Sequence, residues 1–232
     1  MRKITLLLLL FALGANAQRS PFNGLEALPA DSTGHYRILI GGHFHGESTN
    51  RSGYPAATLL ANLDTINKLG ANLLLSTGDL FMDPVKDMPR YQRAFFSKLK
   101  MPLFNAPGNH DQAGSDEWEP IEFDLPFYPG RESDTIFYQR VLALNTELDD
   151  GSILSDQLGR LGLLSSAIGM YDLFIVSHRP IWAEDDPQYS SLFEGNTRSL
   201  TGTNFKKDIY PLLEKIAKHS HVYWISGSMG GF

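Results

Sequence analysis

Short apolar runs and longer stretches with an apolar residue every third or fourth position take turns along this chain. The runs at residues 36–40, 72–77, 103–104, 171–176 and 222–225 have the length and content of buried strands. Between the first two, Leu59, Leu60, Leu63, Ile66 and Leu69 share one face of a helix over residues 55–69, stopped by Gly70. The same spacing predicts helices over about 89–99, over 155–168 with a Ser155 cap and a Leu158, Leu161, Leu164, Ile168 stripe, and over 205–219 with Ile209, Leu212, Leu213 and Ile216 inward. Strand and helix in alternation is the pattern of an α/β fold with helical crossovers. Residues 136–138 and 141–145 break the alternation: two strands follow one another without a helix, which predicts a hairpin or a second sheet.

The start of the chain carries a different pattern. Arg2 and Lys3 precede a run from residue 4 to 13 in which only Thr5 is not apolar, followed by Ala15-Asn16-Ala17 and Gln18. A charged head, a short apolar stretch and a small-x-small site predict an export signal over residues 1–17, cleaved near Ala17-Gln18. The run is short for a bilayer span, and no second run is long enough, so the mature chain is expected to have no transmembrane segment. Residues 18–34 are polar and rich in Pro, Gly and Ser, an exposed lead-in. The expected destination is the periplasm or the outside of the cell.

Composition narrows the chemistry. The net charge is −6, a poor match to sequence-independent nucleic-acid binding. The chain has no Cys, which excludes disulfides, thiolate metal ligands and a Cys nucleophile. The residues after the signal suit one large domain.

Polar residues gather where the predicted strands end. The first strand runs into Gly42-His43-Phe44-His45, and the second into Gly78-Asp79-Leu80-Phe81-Met82-Asp83. The third runs into Gly108-Asn109-His110-Asp111, and the fourth into Ser177-His178-Arg179. In a parallel sheet, the carboxyl ends of strands form one edge, and ligands bind there. Four ends that offer His, Asp and Asn to one edge point to a metal site. His35, His219 and His221 lie at the starts of strands, at the opposite edge, and are assigned to structure. The polar stretch 181–204 is long for a compact domain and reads as functional or mobile; Arg179 and Arg198 could meet phosphate, although structural roles are the simpler reading.

In order and spacing these motifs resemble the calcineurin-like metallophosphoesterases. That family carries Asp-x-His, Gly-Asp-x-x-Asp/Asn, Gly-Asn-His-Asp/Glu, a lone His and Gly-His-x-His, each after a strand of a two-sheet α/β/β/α sandwich. The resemblance covers residues 36–232 and includes a Gln157-Leu158 helix ahead of the fourth motif. It implies a sandwich domain over 35–232, truncated at its C-terminus, because the family continues with further strands past the position of Phe232. It also implies one or two divalent ions (Mn, Fe or Zn) per chain and hydrolysis of a phosphomonoester or phosphodiester, on a small molecule or an envelope polymer.

Carried over by position, Asp79 is the carboxylate shared by both ions. Asn109 and His178 are ligands of the second ion, and His45 of the first. His110 is the acid that protonates the leaving group. His43 stands where the family has Asp, and Asp83, one place beyond the carboxylate that orients the acid, is the candidate to take that catalytic role. In the fifth motif, Ser228 and Gly230 replace both histidines. That loss implies an alternative, a catalytically impaired relative used as a binding module in the cell envelope.

Overall fold

The computed structural model describes residues 19–27, 35–111, 122–125, 138–147, 150–153, 155–184, 186–189 and 202–228. The expected export signal, residues 28–34 of the lead-in, Arg198, Gly230 and the Ser155 side chain lie outside the described residues.

Two sheets face each other. The first is parallel, in the order β1 (Ile38–Gly41), β2 (Leu73–Ser76), β3 (Leu103–Asn105). The second is β4 (Glu122–Leu125), β5 (Tyr138–Ala143), β6 (Met170–Ser177), β7 (His221–Ser226), with β4 antiparallel to β5 and the rest parallel. Side chains alternate across a strand, and this sorts the core into three layers. Leu73, Leu75 and Phe104 of one sheet meet Val141, Ala143 and Val176 of the other between the sheets. Leu74 and Leu103 point outward to the first helical layer, with Tyr91, Phe95 and Phe96. Leu142, Leu173 and Ile175 point outward to the second, with Leu161, Ile209 and Ile216. The expected α/β/β/α sandwich is what the chain forms.

The helices depart from the sequence reading in instructive ways. The helix expected over 55–69 is two pieces, α1 (Ala57–Ala61) and α2 (Leu63–Lys68), broken at Asn62. There the Asn62 Nδ2 donates to the Thr58 carbonyl at 2.8 Å, a side-chain bond of the kind that competes with the helical ladder. The helix α3 (Pro84–Ala94) starts earlier than expected, because Asp83 caps it and Pro84 fits its first turn. Pro89 lies inside it and not at its start. Before α5 (Tyr210–Ile216), residues Phe205–Ile209 form a π-helical turn, with Pro211 in the first turn of α5. α4 (Ser155–Leu164) ends short of residue 168.

Residues 136 and 137 lie outside the described residues; Tyr138 and the strand expected at 141–145 belong to one strand, β5, whose antiparallel partner is β4. The start of the 181–204 stretch is not a free loop. Ile181 and Ala183 are buried, and the Glu184 carboxylate accepts from the Gly202 and Thr203 amides.

Candidate metal centre

The carboxyl ends of β1, β2 and β3 lie side by side, and the end of β6 reaches them from the facing sheet. Asp79 sits in the middle. His43 Nε2, His178 Nε2 and His45 Nε2 stand 3.4, 3.5 and 3.7 Å from its Oδ2. The His110 amide donates to its Oδ1 at 3.1 Å. The rings crowd together, with centroids 5.5 Å apart for His43 and His178 and 5.1 Å for His45 and His110.

These spacings exceed a good hydrogen bond, yet two ligands of one ion, each about 2.1 Å from it, lie roughly this far apart. Both His45 nitrogens and His178 Nε2 are buried with no hydrogen-bond partner, which costs free energy unless something else fills the role. His178 Nδ1 donates to the Thr77 carbonyl at 2.7 Å, so its Nε2 presents a lone pair towards Asp79. Two overlapping ligand sets result, His43–Asp79–His178 and His45–Asp79–His110, with Asp79 common to both. Nitrogen and oxygen donors without sulfur suit a first-row divalent ion. The residues therefore fit such an ion.

Backbone strain is concentrated here. His43 and Asp79 have φ of 52° and 57°, a region L-residues seldom enter and one found at functional sites. Two glycines allow the packing. A Cβ on Gly108 would fall 2.2 Å from Asp79 Oδ1, and one on Gly78 would fall 2.4 Å from His178 Nδ1.

Asp111 holds the strained turn. Its carboxylate accepts from the amides of Asp79 (2.9 Å), Gly108 (2.9 Å) and Phe81 (3.1 Å) and from Asn105 Nδ2 (3.0 Å). Burial pushes its carboxyl up, against the pull of those donors. Burial also raises Asp79, but the His45 and His178 imidazoles and the His110 amide outweigh it and hold that carboxyl at about 2. Burial lowers His43, with the three neighbouring rings adding to it against Asp79. A carboxylate held in its anionic form at the centre of the cluster is what a cation needs.

Of the residues expected at the site, His43, His45, Asp79, His110 and His178 are brought together. Asn109 lies between Gly108 and His110, exposed in the turn. Asp83 is held elsewhere: its carboxylate accepts from the Lys86 amide at the start of α3 and pairs with the Lys86 ammonium. We therefore expect Asp83→Ala to lower Tm through a lost cap. The Lys86 hydrogen bond holds the Asp83 carboxyl below 3.8. A depressed carboxyl stabilises the fold above its unfolded value and less as pH falls through the folded one, so the Tm gap should close below about pH 4. A gap that persists in acid would contradict the cap.

Arg179 is buried and bonds Glu147 through Nε at 3.1 and 3.2 Å, a structural pair. His219 and His221 bond Ser220 and Asp172, away from the cluster. A Cβ on Gly227 would meet Thr77 Oγ1 at 2.6 Å, so the segment leading to Ser228 abuts the wall that orients His178. The roles of Asp111 and Thr77 were not legible from motif position alone. Asp111 was visible as the fourth residue of its motif, whereas Thr77 acts through a backbone carbonyl, which leaves no mark in a sequence.

A family model for calcineurin-like phosphoesterases matches residues 36–227, a span that contains every residue of this cluster. No curated protein matches the chain.

Proposed function

Because the chain belongs to the calcineurin-like phosphoesterase family, we propose that it hydrolyses a phosphoester with divalent ions held around Asp79. The carrying observation is the convergence of His43, His45 and His178 on one carboxylate oxygen, with buried nitrogens that no protein group satisfies. His43 and His178 are the ligands of one position. His45 serves the other, and Asp79 serves both. When bound, the ions supply positive charge for the phosphoryl oxygens and acidify water.

The chain's own groups do the rest. Asp111 fixes the Asp79 turn, the Thr77 carbonyl fixes the His178 tautomer, and the glycines at 78 and 108 let the strand ends approach. His110, partly exposed at the edge of the cluster, gives its proton to the departing oxygen. We assign the protein to the cell exterior or periplasm on the strength of residues 1–17, with its substrate a phosphomonoester or diester.

The test is phosphate release by protein loaded with Mn, Fe or Zn. We expect His110→Ala to lower kcat by roughly a hundredfold to ten-thousandfold on an alkyl phosphate. The loss should be much smaller on an aryl phosphate with an acidic leaving group, and ion content should be unchanged. Equal losses on both, with ion content reduced, would make His110 a ligand. Turnover that needs no ion would overturn the proposal. Ser228 in the fifth motif favours a second reading, a binding module in the envelope that keeps part of the site. It requires a folded protein with no turnover on either ester.

A further inference from the structure

β6 ends at Ser177, and His178 is the first residue past the ladder. Its ring is tied at Nδ1 to the Thr77 carbonyl of the facing sheet. The next residue ties down the turn that carries it. The Arg179 amide donates to Thr146 Oγ1 at 2.9 Å, and its carbonyl accepts from Ser177 Oγ at 2.9 Å and from the Ile181 amide at 3.0 Å. Its Nε donates to both oxygens of the Glu147 carboxylate, at 3.2 and 3.1 Å. Thr146 and Glu147 follow β5, so the turn is anchored to the end of the neighbouring strand.

As a source of stability this ion pair is a poor one. Both side chains are buried, with 4% of Arg179 and 1% of Glu147 exposed. Nη1 and Nη2 of Arg179 have no hydrogen-bond partner among the described residues. A Cβ on Gly151 would fall 3.4 Å from Nη1, so that loop closes over the guanidinium head. A buried pair that leaves donors unsatisfied does not offset its own desolvation, and apolar side chains of like volume often hold a fold as well or better. What apolar side chains lack is direction. The two-pronged contact at Nε fixes where the planar guanidinium, and with it the Arg179 backbone, stands relative to β5.

We propose that Arg179 and Glu147 are positioning residues for the metal centre: they hold the His178 ring against Asp79, with Nε2 3.5 Å from Oδ2, and so tune one ion position and not the other. The inference rests on the metal-dependent reading above. Of the cluster residues, only His178 is carried by this turn. His43 and His45 follow β1, Asp79 follows β2, and His110 follows β3. A displaced turn therefore weakens the His43–Asp79–His178 set and leaves His45–Asp79–His110 in place.

The experiment is a calorimetric titration with Zn alone, in two backgrounds that each keep one ligand set. His45→Ala keeps the set with His178, and His178→Ala keeps the set with His45. Each is compared with and without the double change Arg179→Met and Glu147→Leu, which removes both charges together. The expected result is about tenfold weaker binding in the His45→Ala background, the size of loss that partners of a metal ligand produce. Binding in the His178→Ala background should stay within about twofold, and Tm should be at or above that of each background protein. Unchanged affinity in the first background, or an equal loss in both, would overturn the positioning role and leave the metal centre standing. Where a background holds no ion, the parent is compared with and without the double change; the same loss is expected, and an unchanged affinity overturns the proposal. If the double change does not fold, Arg179→Lys replaces it, because Lys keeps the charge pair but not the two-pronged contact. A loss of about threefold confined to the first background is then expected, with the same results overturning it. A parent that binds no ion overturns the metal centre, and this proposal with it.

Discussion

Asp79→Asn is expected to lower phosphoester turnover roughly a thousandfold and to empty at least one ion position. An ion that stabilises phosphoryl charge contributes several kcal/mol to the transition state, and each 1.36 kcal/mol is about tenfold in rate. Asp79 is the only carboxylate in either of the two ligand sets, and it is shared by both. With a neutral amide in its place, a dication would face imidazoles alone. Asn is the informative replacement because it keeps what the fold needs. It tolerates the left-handed backbone that Asp79 adopts at φ 57°, and its side-chain oxygen can still accept from the His110 amide. The apo-protein should therefore unfold within about 1 kcal/mol of the parent. Parent-like turnover with parent-like ion content in Asp79→Asn would remove Asp79 from the centre of the account.

The largest effect on folding is expected from a residue that touches no substrate. Asp111→Ala should destabilise the protein by about 3–5 kcal/mol, because several donors lose one shared acceptor at once. Three backbone amides and the Asn105 side-chain amide would lose their acceptor together. Each buried donor left without a partner costs about 1–3 kcal/mol, and the four do not add independently. For a domain of this size the change is a Tm lower by roughly 10 °C. Asp111→Asn, which keeps one side-chain oxygen, should lose less. Because Asp111 binds the amide of Asp79 itself, Asp111→Ala should also lower ion content at temperatures where the variant is still folded. A parent-like denaturation midpoint in Asp111→Ala would show that the donors find water instead.

Much of this was readable from residue order. Apolar runs such as that at β2, where Leu73, Leu74 and Leu75 are all buried, belong to strands covered on both faces, and the sheet order follows from where helices intervene. The motif ends placed four histidines and Asp79 on one edge. What pattern could not supply was local competition. Asn62 interrupts a helix whose stripe runs unbroken from Leu59 to Leu69: its backbone leaves the helical region (φ −99°, ψ 5°) while its amide and its side chain share the Thr58 carbonyl. Pro89 marks a helix start by propensity, but Asp83 and Pro84 together start α3 a turn and a half earlier. That cap also gave Asp83 a partner, Lys86, that its place in the motif did not suggest. The fold of the segment after His45 is fixed in part by Asn50, whose side chain donates to the His45 and Tyr54 carbonyls.

The most direct test of the metal centre is the ion content of residues 18–232, purified, incubated separately with Mn, Fe and Zn, and desalted before elemental analysis, with His178→Ala and His45→Ala alongside. The account predicts bound ion in the parent and a lower content in each variant, because each removes a ligand from a different set around Asp79. A folded parent that retains no ion under any of the three conditions would contradict it.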